Sequence, residues 1–300
     1  MTTQKLPTKL PQTLQLLLGA TIALSLSSVR ALEVVAGDYE VFPTGINIAL
    51  IYYQRAERAN LYSNGNQLSN DFKLTSDIGL LRYVRPMQIT ERLVLDPQFI
   101  LPFGGLNGSG AASVLGDTSG VGDLILGAPV KYLIDPVSRD AFSVGTFIHL
   151  RTGSYENTRA LNLGENRWKG LMQLAYVKHF DAKWALDVIG DVQVSGANRK
   201  FGPTNATLKQ KPRYEAQAHL RYKLTEATSV GVDYGYIAGG ETRVSGVDRN
   251  DRLKTHYARV GGTHFFTPTL QGVLQVGRDI SVESGPQERA RINLRLAKIF

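Results

Sequence analysis

The sequence predicts an all-β protein, a transmembrane antiparallel up-and-down β-barrel of about 12 strands, with 10 or 14 strands as alternatives. Three observations lead to this prediction. The chain starts with an export leader, its later part alternates apolar and polar residues in long runs, and the connections between these runs are alternately short and long. We expect short periplasmic turns and long extracellular loops.

The first 31 residues have the layout of a secretory signal peptide that is cleaved after export. Lys5 and Lys9 form a basic start, an apolar run covers 14–26, and Ala31 ends a small-residue cleavage site. The leader holds three basic and no acidic residues, so the formal net charge falls from +8 to +5 on cleavage. We expect a periplasmic segment at 32–43 and a single outer-membrane barrel domain at 44–300, with no plug domain before the first strand.

The chain contains no cysteine, which excludes both a disulfide framework and a lipid anchor on cysteine. The mature part also lacks an apolar run of about 18 residues, so a transmembrane helix is not predicted.

Candidate strands follow one another with no helical periodicity between them. Their lengths are about 11 to 14 residues, whereas strands of soluble domains average roughly five or six, and a bilayer needs roughly 9 to 11 tilted residues. They lie at 44–54, 72–85, 88–101, 121–134, 140–151, 167–180, 183–195, 212–224, 228–238, 253–266, 269–280 and 288–300.

The strand at 212–224 shows the alternation most clearly: Tyr214, Leu220 and Tyr222 share one face, and Arg213, His219 and Arg221 the other. The strand at 253–266 fits either register, and its facing stays open. Backbone polar groups cannot remain unpaired in hydrocarbon, so such a sheet has to close on itself.

The connections support the same architecture. Tight turns "RPMQ", "DPVSR", "DAK", "TEA" and "TPT" follow the even strands. Longer segments rich in Gly, Ser and Asn follow the odd ones, among them 60–70, 102–120, 152–166 and 196–211. Tyr, Trp and Phe concentrate near both strand ends, as in interfacial girdles. A soluble β-sandwich, the alternative, would have shorter strands.

Four stretches resemble the MetA-pathway phenol-degradation family of outer-membrane transporter-like proteins. They are "AGDYEVFPTGINIALIYYQRAER" (36–58), "GVGDLILGAPVKYL" (120–133), "LRTGSYE" (150–156) and "LNLGENRWKGLMQLAY" (161–176). The resemblance implies a bacterial outer-membrane barrel whose relatives are linked with import of aromatic or hydrophobic compounds. Arg151 departs from it, since a Pro is expected at that position.

Catalytic, metal and nucleotide motifs are not predicted. "GVGDLILG" lacks the third Gly of a dinucleotide fingerprint, because Ile125 occupies that position. The five His residues show no metal-ligand spacing, and no Ser has a nucleophile context. We expect no enzyme activity, no cofactor and no nucleic-acid partner.

The predicted pore lining is basic. If the polar face of each strand points inward, the lumen receives Lys131, His149, Arg151, Lys169, Lys183, Arg213, His219, Arg221, Lys223, Arg291 and Arg295. Opposing carboxylates are Asp123, Asp187, Asp191, Glu215 and Asp279. Basic linings favour anions. Alternatively, the cations pair with these carboxylates and brace the wall.

We therefore expect a passive outer-membrane channel for small organic solutes, aromatic or anionic ones among them. A barrel hydrolase, or a structural or adhesive barrel with a closed lumen, remains the alternative. Outer-membrane lipid and the barrel-assembly machinery are the other expected partners, and the oligomeric state stays open.

The final stretch "RINLRLAKIF" predicts the strand that closes the barrel against residues near 45–53. Its apolar residues would face lipid and its Arg residues the lumen. Phe300 resembles the C-terminal residue that bacterial outer-membrane proteins present for assembly, and Lys298 would face lipid close enough to the headgroups to snorkel.

Overall fold

The computed structural model describes residues 34–300, so the predicted leader at 1–31 lies outside the described residues. Twelve antiparallel wall strands form the closed barrel that the sequence predicts. They are β1 (Ile48–Ser63), β2 (Asn66–Val84), β3 (Gln98–Gly110), β4 (three segments, Asp117–Val121, Ile125–Gly127 and Val130–Leu133), β5 (Ala141–His149), β6 (Lys169–His179), β7 (Trp184–Ser195), β8 (Arg213–Lys223), β9 (Thr228–Gly239), β10 (Leu253–Thr267), β11 (Leu270–Val282) and β12 (Gly285–Ile299).

The barrel closes between its first and last strands, as the sequence predicts. β12 pairs with β1 in a register that runs from Ile48 opposite Ile299 to Tyr53 opposite Leu294 and beyond. Phe300 continues the ladder, since its N–H donates to the Asn47 carbonyl at 3.0 Å. This seam leaves no free sheet edge between β12 and β1.

The two faces of each strand differ because side chains alternate along it. On β7, Val188 and Val194 point outward and are 46% and 53% exposed, while Asp187 and Ile189 point into the barrel and are 2% and 1% exposed. The register of β10, which the sequence leaves open, places Tyr257 and other odd-numbered residues inward. The outward residues form an apolar belt for lipid contact.

Several predicted loops are shorter than expected because the strands run on beyond them. β1 and β2 meet at Asn64 and Gly65, whose φ values of 50° and 78° suit a two-residue hairpin turn. This turn replaces the loop expected at 60–70. β3 likewise continues to Gly110, so the loop expected at 102–120 shrinks to 111–116, which contains the 3-10 turn Ser113–Leu115.

The turn expected at "RPMQ" is also displaced. The β2–β3 connection continues as a small hairpin, Met87–Thr90 with Leu93–Leu95, beyond an interruption at Pro86. Proline has no N–H to give to a ladder, which explains the break. The turns predicted after β4, β6, β8 and β10 lie where expected.

Two extracellular segments fold into a second sheet. Its four strands are Asn198–Phe201, Ala206–Gln210, Thr242–Val244 and Val247–Asp248. They come from the loops after β7 and β9, and their own side chains, Leu208 and Val244 among them, form a small apolar cluster. No helix within residues 34–300 is long and apolar enough to cross a membrane.

Candidate solute pathway in the barrel lumen

The lumen has two unlike halves. The inward residues of β1 to β6 are mainly apolar and belong largely to one buried cluster, with Leu50, Leu80, Ile100, Phe147 and Leu171 among its members. Those of β7 to β12 are mainly polar: Asp187, Arg213, Gln217, His219, Asp233, Arg259, Gln275, Glu288, Arg291, Asn293 and Arg295 are all buried. A solute inside the barrel would therefore meet hydrocarbon on one side and hydrogen-bonding groups on the other.

The segment between β5 and β6 folds into the extracellular mouth on the apolar side. Leu161 and Leu163 join the apolar cluster of the wall. The two ends of this segment cross at Gly153 and Gly164, where a Cβ on Gly164 would lie 2.5 Å from a Gly153 backbone carbon. Only glycine allows such a close approach of two backbones.

Buried charges hold this mouth segment in place. Asp123 of the β4 wall accepts the N–H groups of Gly153 and Glu165, each at 2.9 Å. The Glu165 carboxylate in turn binds Arg167 at 2.6 Å and Lys169 at 2.5 Å. These ion pairs fix the loop, and they give each of its buried charges the oppositely charged partner that burial requires.

The N-terminal segment, residues 34–42, lies inside the barrel. The Asp38 carboxylate binds Arg295 of β12 at 2.5 Å and Arg82 of β2 at 3.1 Å. Lys131 of β4 donates to the carbonyls of Asp38 and Glu40 at 2.9 and 2.7 Å. Three separate wall strands thus grip this short stretch.

Further contacts seat the same segment against β6, β7 and β8. Glu40 accepts from Arg221 at 2.6 Å and contacts His179 at 3.0 Å. The Gly37 N–H donates to Asp187 at 2.7 Å, and the Tyr39 hydroxyl donates to Gln173. The sequence predicts a periplasmic segment at 32–43 and a barrel without a plug; the structure instead places residues 34–42 within the barrel, where Asp38 and Glu40 bind cations of the inner wall.

A cavity of about 20 Å³, roughly the room that one water molecule needs, remains between this segment and the apolar half of the wall. Its lining combines Leu80, Ile100 and Phe147 with the charged Arg82 and Lys131.

The predicted lining residues fall into two groups. Eight are carried by wall strands and point inward: Lys131, His149, Lys169, Arg213, His219, Arg221, Arg291 and Arg295. Arg151 lies instead just beyond the end of β5, exposed, where it donates to Asn166 at 2.8 Å. Lys183 precedes β7 and Lys223 ends β8, both at the periplasmic end. A role of any of them in solute passage stays a prediction.

Most of the inward cations have a carboxylate partner. Arg291 binds Glu288 at 2.6 Å, and the Arg213 guanidinium lies 3.7 Å from Glu215. Arg221 and Arg295 hold the acidic N-terminal segment. These ion pairs are consistent with the alternative in which the lumen cations brace the wall, which stays a prediction.

A hydrogen-bonded belt crosses the polar half. His219 contacts Asp233 at 2.7 Å, Asp233 accepts from Gln275 at 2.5 Å, and Gln275 accepts from Asn293 at 2.8 Å. His219 with Asp233 has the geometry of a catalytic dyad, but within residues 34–300 no hydroxyl group bonds its Nε2. The same residues contain no cluster of three or more metal-ligating side chains.

Several site residues escaped the sequence reasoning. Arg82 lies in a strand whose inward face is mainly apolar, between Leu80 and Val84, so a basic-face criterion passes over it. Asp38 and Glu40 precede the first strand, where alternation carries no information. Two acidic residues just ahead of a basic lumen were the available signal.

A closed barrel with an apolar outer belt and a charged interior defines a bacterial outer-membrane β-barrel, and this class sets the location of the chain. The family model described as "Putative MetA-pathway of phenol degradation" matches residues 59–296. The chain belongs to this family.

Among solved structures, the COG4313 outer membrane channel from Pseudomonas putida F1 is similar at 46% identity, over 89% of this chain and 100% of that chain, with a TM-score of 0.88. The translocator domain of the autotransporter NalP from Neisseria meningitidis has 13% identity, with 93% and 96% covered and a TM-score of 0.52, and so shares the fold alone. No curated protein matches the chain.

Proposed function

We propose that the protein is a passive channel for the uptake of small organic solutes, aromatic or anionic ones among them, across the outer membrane. The observation that carries this proposal is the two-sided lumen, with an apolar half on β1 to β6 and a charged half on β7 to β12. The similar structure from Pseudomonas putida F1 is itself called an outer membrane channel. We further propose that the leader is removed after Ala31 and that the protein carries out no catalysis.

Passage through the lumen requires the N-terminal segment to move out of it, because residues 34–42 lie among the inward side chains of β2, β4, β6, β7, β8 and β12. A leader cut at Ala31 would leave this segment attached to the barrel at one end only, through residues 43–47. Its contacts are mainly ion pairs and hydrogen bonds, which water and ions can replace during withdrawal.

The experiment is reconstitution of the mature protein into a planar bilayer, beside a variant that lacks residues 34–42. We expect discrete conductance in both proteins, with longer open times in the variant because it has no N-terminal segment to block the lumen. A solute-flux assay in liposomes with benzoate serves as the second readout. Absence of conductance and flux in both proteins would overturn the proposal.

The occluded lumen also favours the second candidate, a structural or adhesive barrel. Deletion of the extracellular loop 111–116 separates the two functions, since this loop lies outside the wall strands. A channel should change in conductance or gating, while an adhesive barrel should lose a surface partner and remain without a pore. A hydrolase would lose activity in His219→Ala or His149→Ala.

A further inference from the structure

The site that the Asp38 carboxylate occupies has the composition of a ligand-binding site. Two guanidinium groups converge on one carboxylate, with Arg295 at 2.5 Å and Arg82 at 3.1 Å. Both guanidiniums are fixed by other wall groups: Arg82 donates to Gln98 and to the Tyr52 hydroxyl at 2.8 and 3.1 Å, and Arg295 donates to Gln271 at 2.8 Å. The Arg82–Arg295 pair is therefore held in place by other wall groups and does not depend on the N-terminal segment.

The charge balance shows that the segment neutralises the wall. Inside the barrel, four wall cations that contact the segment are set against two wall carboxylates, Asp96 and Asp187, which leaves two positive charges in excess. Asp38 and Glu40 supply the two missing negative charges. Exposed Arg139 adds a longer contact of 3.7 Å to Glu40 from the periplasmic turn. With the segment withdrawn, this region would bind anions.

The surroundings of the Arg82–Arg295 pair suit an aromatic ring. Tyr52, Leu80, Ile100 and Phe147 line the cavity beside Arg82, and all four are at least nine-tenths buried. Tyr39 fills part of this space with its own ring and donates its hydroxyl to Gln173, itself 1% exposed. The Arg295 guanidinium also lies 5.9 Å from the centre of the Tyr52 ring, and the Lys131 ammonium 5.8 Å from that of Tyr39.

Asp38 and Tyr39 thus place a carboxylate and a phenol side by side in the lumen. We propose that the N-terminal segment occupies a binding site for small aromatic carboxylates, and that a solute of this class competes with Asp38 for Arg82 and Arg295. One guanidinium bound to each carboxylate oxygen recognises the carboxylate, the apolar half of the wall contacts the ring, and Gln173 accepts a hydrogen bond from a ring hydroxyl. This inference rests on the proposed channel function and names its substrate class and the internal contact that opposes binding.

The test is calorimetric titration of the full mature chain in detergent micelles with benzoate as the probe. Asp38→Asn should bind benzoate at least about tenfold more tightly than the wild type. The substitution removes the carboxylate that competes with benzoate, while the Arg82 and Arg295 guanidiniums remain. Uncharged benzamide should show no such gain. Adding Arg82→Gln to Asp38→Asn should abolish it.

The matched control is Glu226→Gln, which removes a negative charge from an exposed turn at the same end of the barrel. It should bind benzoate like the wild type. Equal affinities in the wild type and Asp38→Asn, or equal binding of benzamide and benzoate, would overturn the inference. Heat-modifiable migration in gels verifies that each variant is folded.

A second measurement does not require Asp38 to be replaced. Because the chain has no cysteine, Ala36→Cys introduces a single thiol into the lumen segment. Benzoate should accelerate its reaction with a water-soluble thiol reagent, and an unchanged rate would contradict the inference. Binding in micelles does not depend on conductance, so conductance without Asp38-dependent binding overturns only this site, and binding without conductance overturns only the channel.

Discussion

At the scale of single residues, Glu165 shows how the mouth loop is fixed. It lies outside the membrane-spanning strands, is 6% exposed, and is held by Arg167 and Lys169. Burial alone would raise its pKa, but Lys169 and Arg167 outweigh that effect and lower the pKa of Glu165 to about 2 from its usual 4.5.

A lowered pKa of a carboxyl group stabilises the folded state above the unfolded pKa. The contribution of Glu165, about 3 kcal/mol by linkage, should therefore be complete above pH 4.5 and be lost as the pH falls towards 2. We expect Glu165→Gln to lower the midpoint of thermal unfolding at pH 7, and the gap to the wild type to narrow between pH 4.5 and 2. Tryptophan fluorescence in micelles measures both.

Glu156→Gln is the control for this prediction. Glu156 lies in the same loop and pairs with Arg159 at 2.8 Å, but both side chains are half exposed. Exposed pairs contribute about 0–1 kcal/mol, so this variant should unfold close to the wild type at every pH. A gap for Glu165→Gln that does not change with pH would contradict the assignment.

At the scale of elements, β12 shows how far a pattern can specify a strand. Its period-2 alternation gives the facing, its place as the last strand of a closed barrel gives the partner, and the structure pairs it with β1 as predicted. Ile292, Leu294 and Leu296 point outward, and Arg291 and Arg295 point inward. Lys298 faces outward near the periplasmic end, where its ammonium donates to the Thr269 hydroxyl at 2.8 Å.

We predict that deletion of Phe300 impairs assembly far more than Lys298→Tyr. Phe300 is 64% exposed and forms both backbone hydrogen bonds with Asn47, so its deletion removes an exposed terminal ring and the last pair of the seam. Lys298→Tyr only exchanges one interfacial side chain for another. The measurement is the folded fraction in outer-membrane preparations, and equal losses in the two variants would count against a role of Phe300 in assembly.

The connections were harder to predict than the strands. Asn64 and Gly65 form a hairpin turn that composition alone made part of a loop, because Gly, Ser and Asn are common in both. The strands also continue past the bilayer, where no lipid enforces alternation. The four short strands in the loops after β7 and β9 form two local hairpins, which join through the pairing of Ala206–Gln210 with Thr242–Val244, and local patterns do not contain that long-range pairing.

At the scale of the whole molecule, strand number, closure and location followed from the sequence, since lipid outside and water inside impose a strict period on every strand. The division of the lumen into an apolar and a polar half did not follow. It depends on which inward faces become neighbours and on what covers them. The N-terminal segment was missed for the same reason, because its position is set by Arg82, Arg221 and Arg295, which lie far away in sequence.

Ion preference is the property that tests the interior as a whole. We expect replacement of Arg213, Arg221, Arg291 and Arg295 by Gln to shift the reversal potential towards cations. The carboxylates that these side chains contact, among them Glu215, Asp187 and Glu288, would then dominate the lumen. Planar-bilayer recordings in a salt gradient measure the shift.

The matched control replaces four exposed extracellular cations by Gln and leaves the interior unchanged: Arg199, Lys200, Lys209 and Arg252. It should shift the reversal potential much less, because surface charges are screened over about 10 Å at 0.1 M salt. A reversal potential that is unaffected by the four interior replacements would mean that these side chains brace the wall without selecting ions.

Asp38 also spans the seam of the barrel. Its two partners lie on opposite sides of β1, Arg295 on β12 and Arg82 on β2. One carboxylate therefore fastens the last strand to the second strand from within, across the junction that closes the cylinder. The segment that obstructs the pore thereby also links the two wall strands that flank β1.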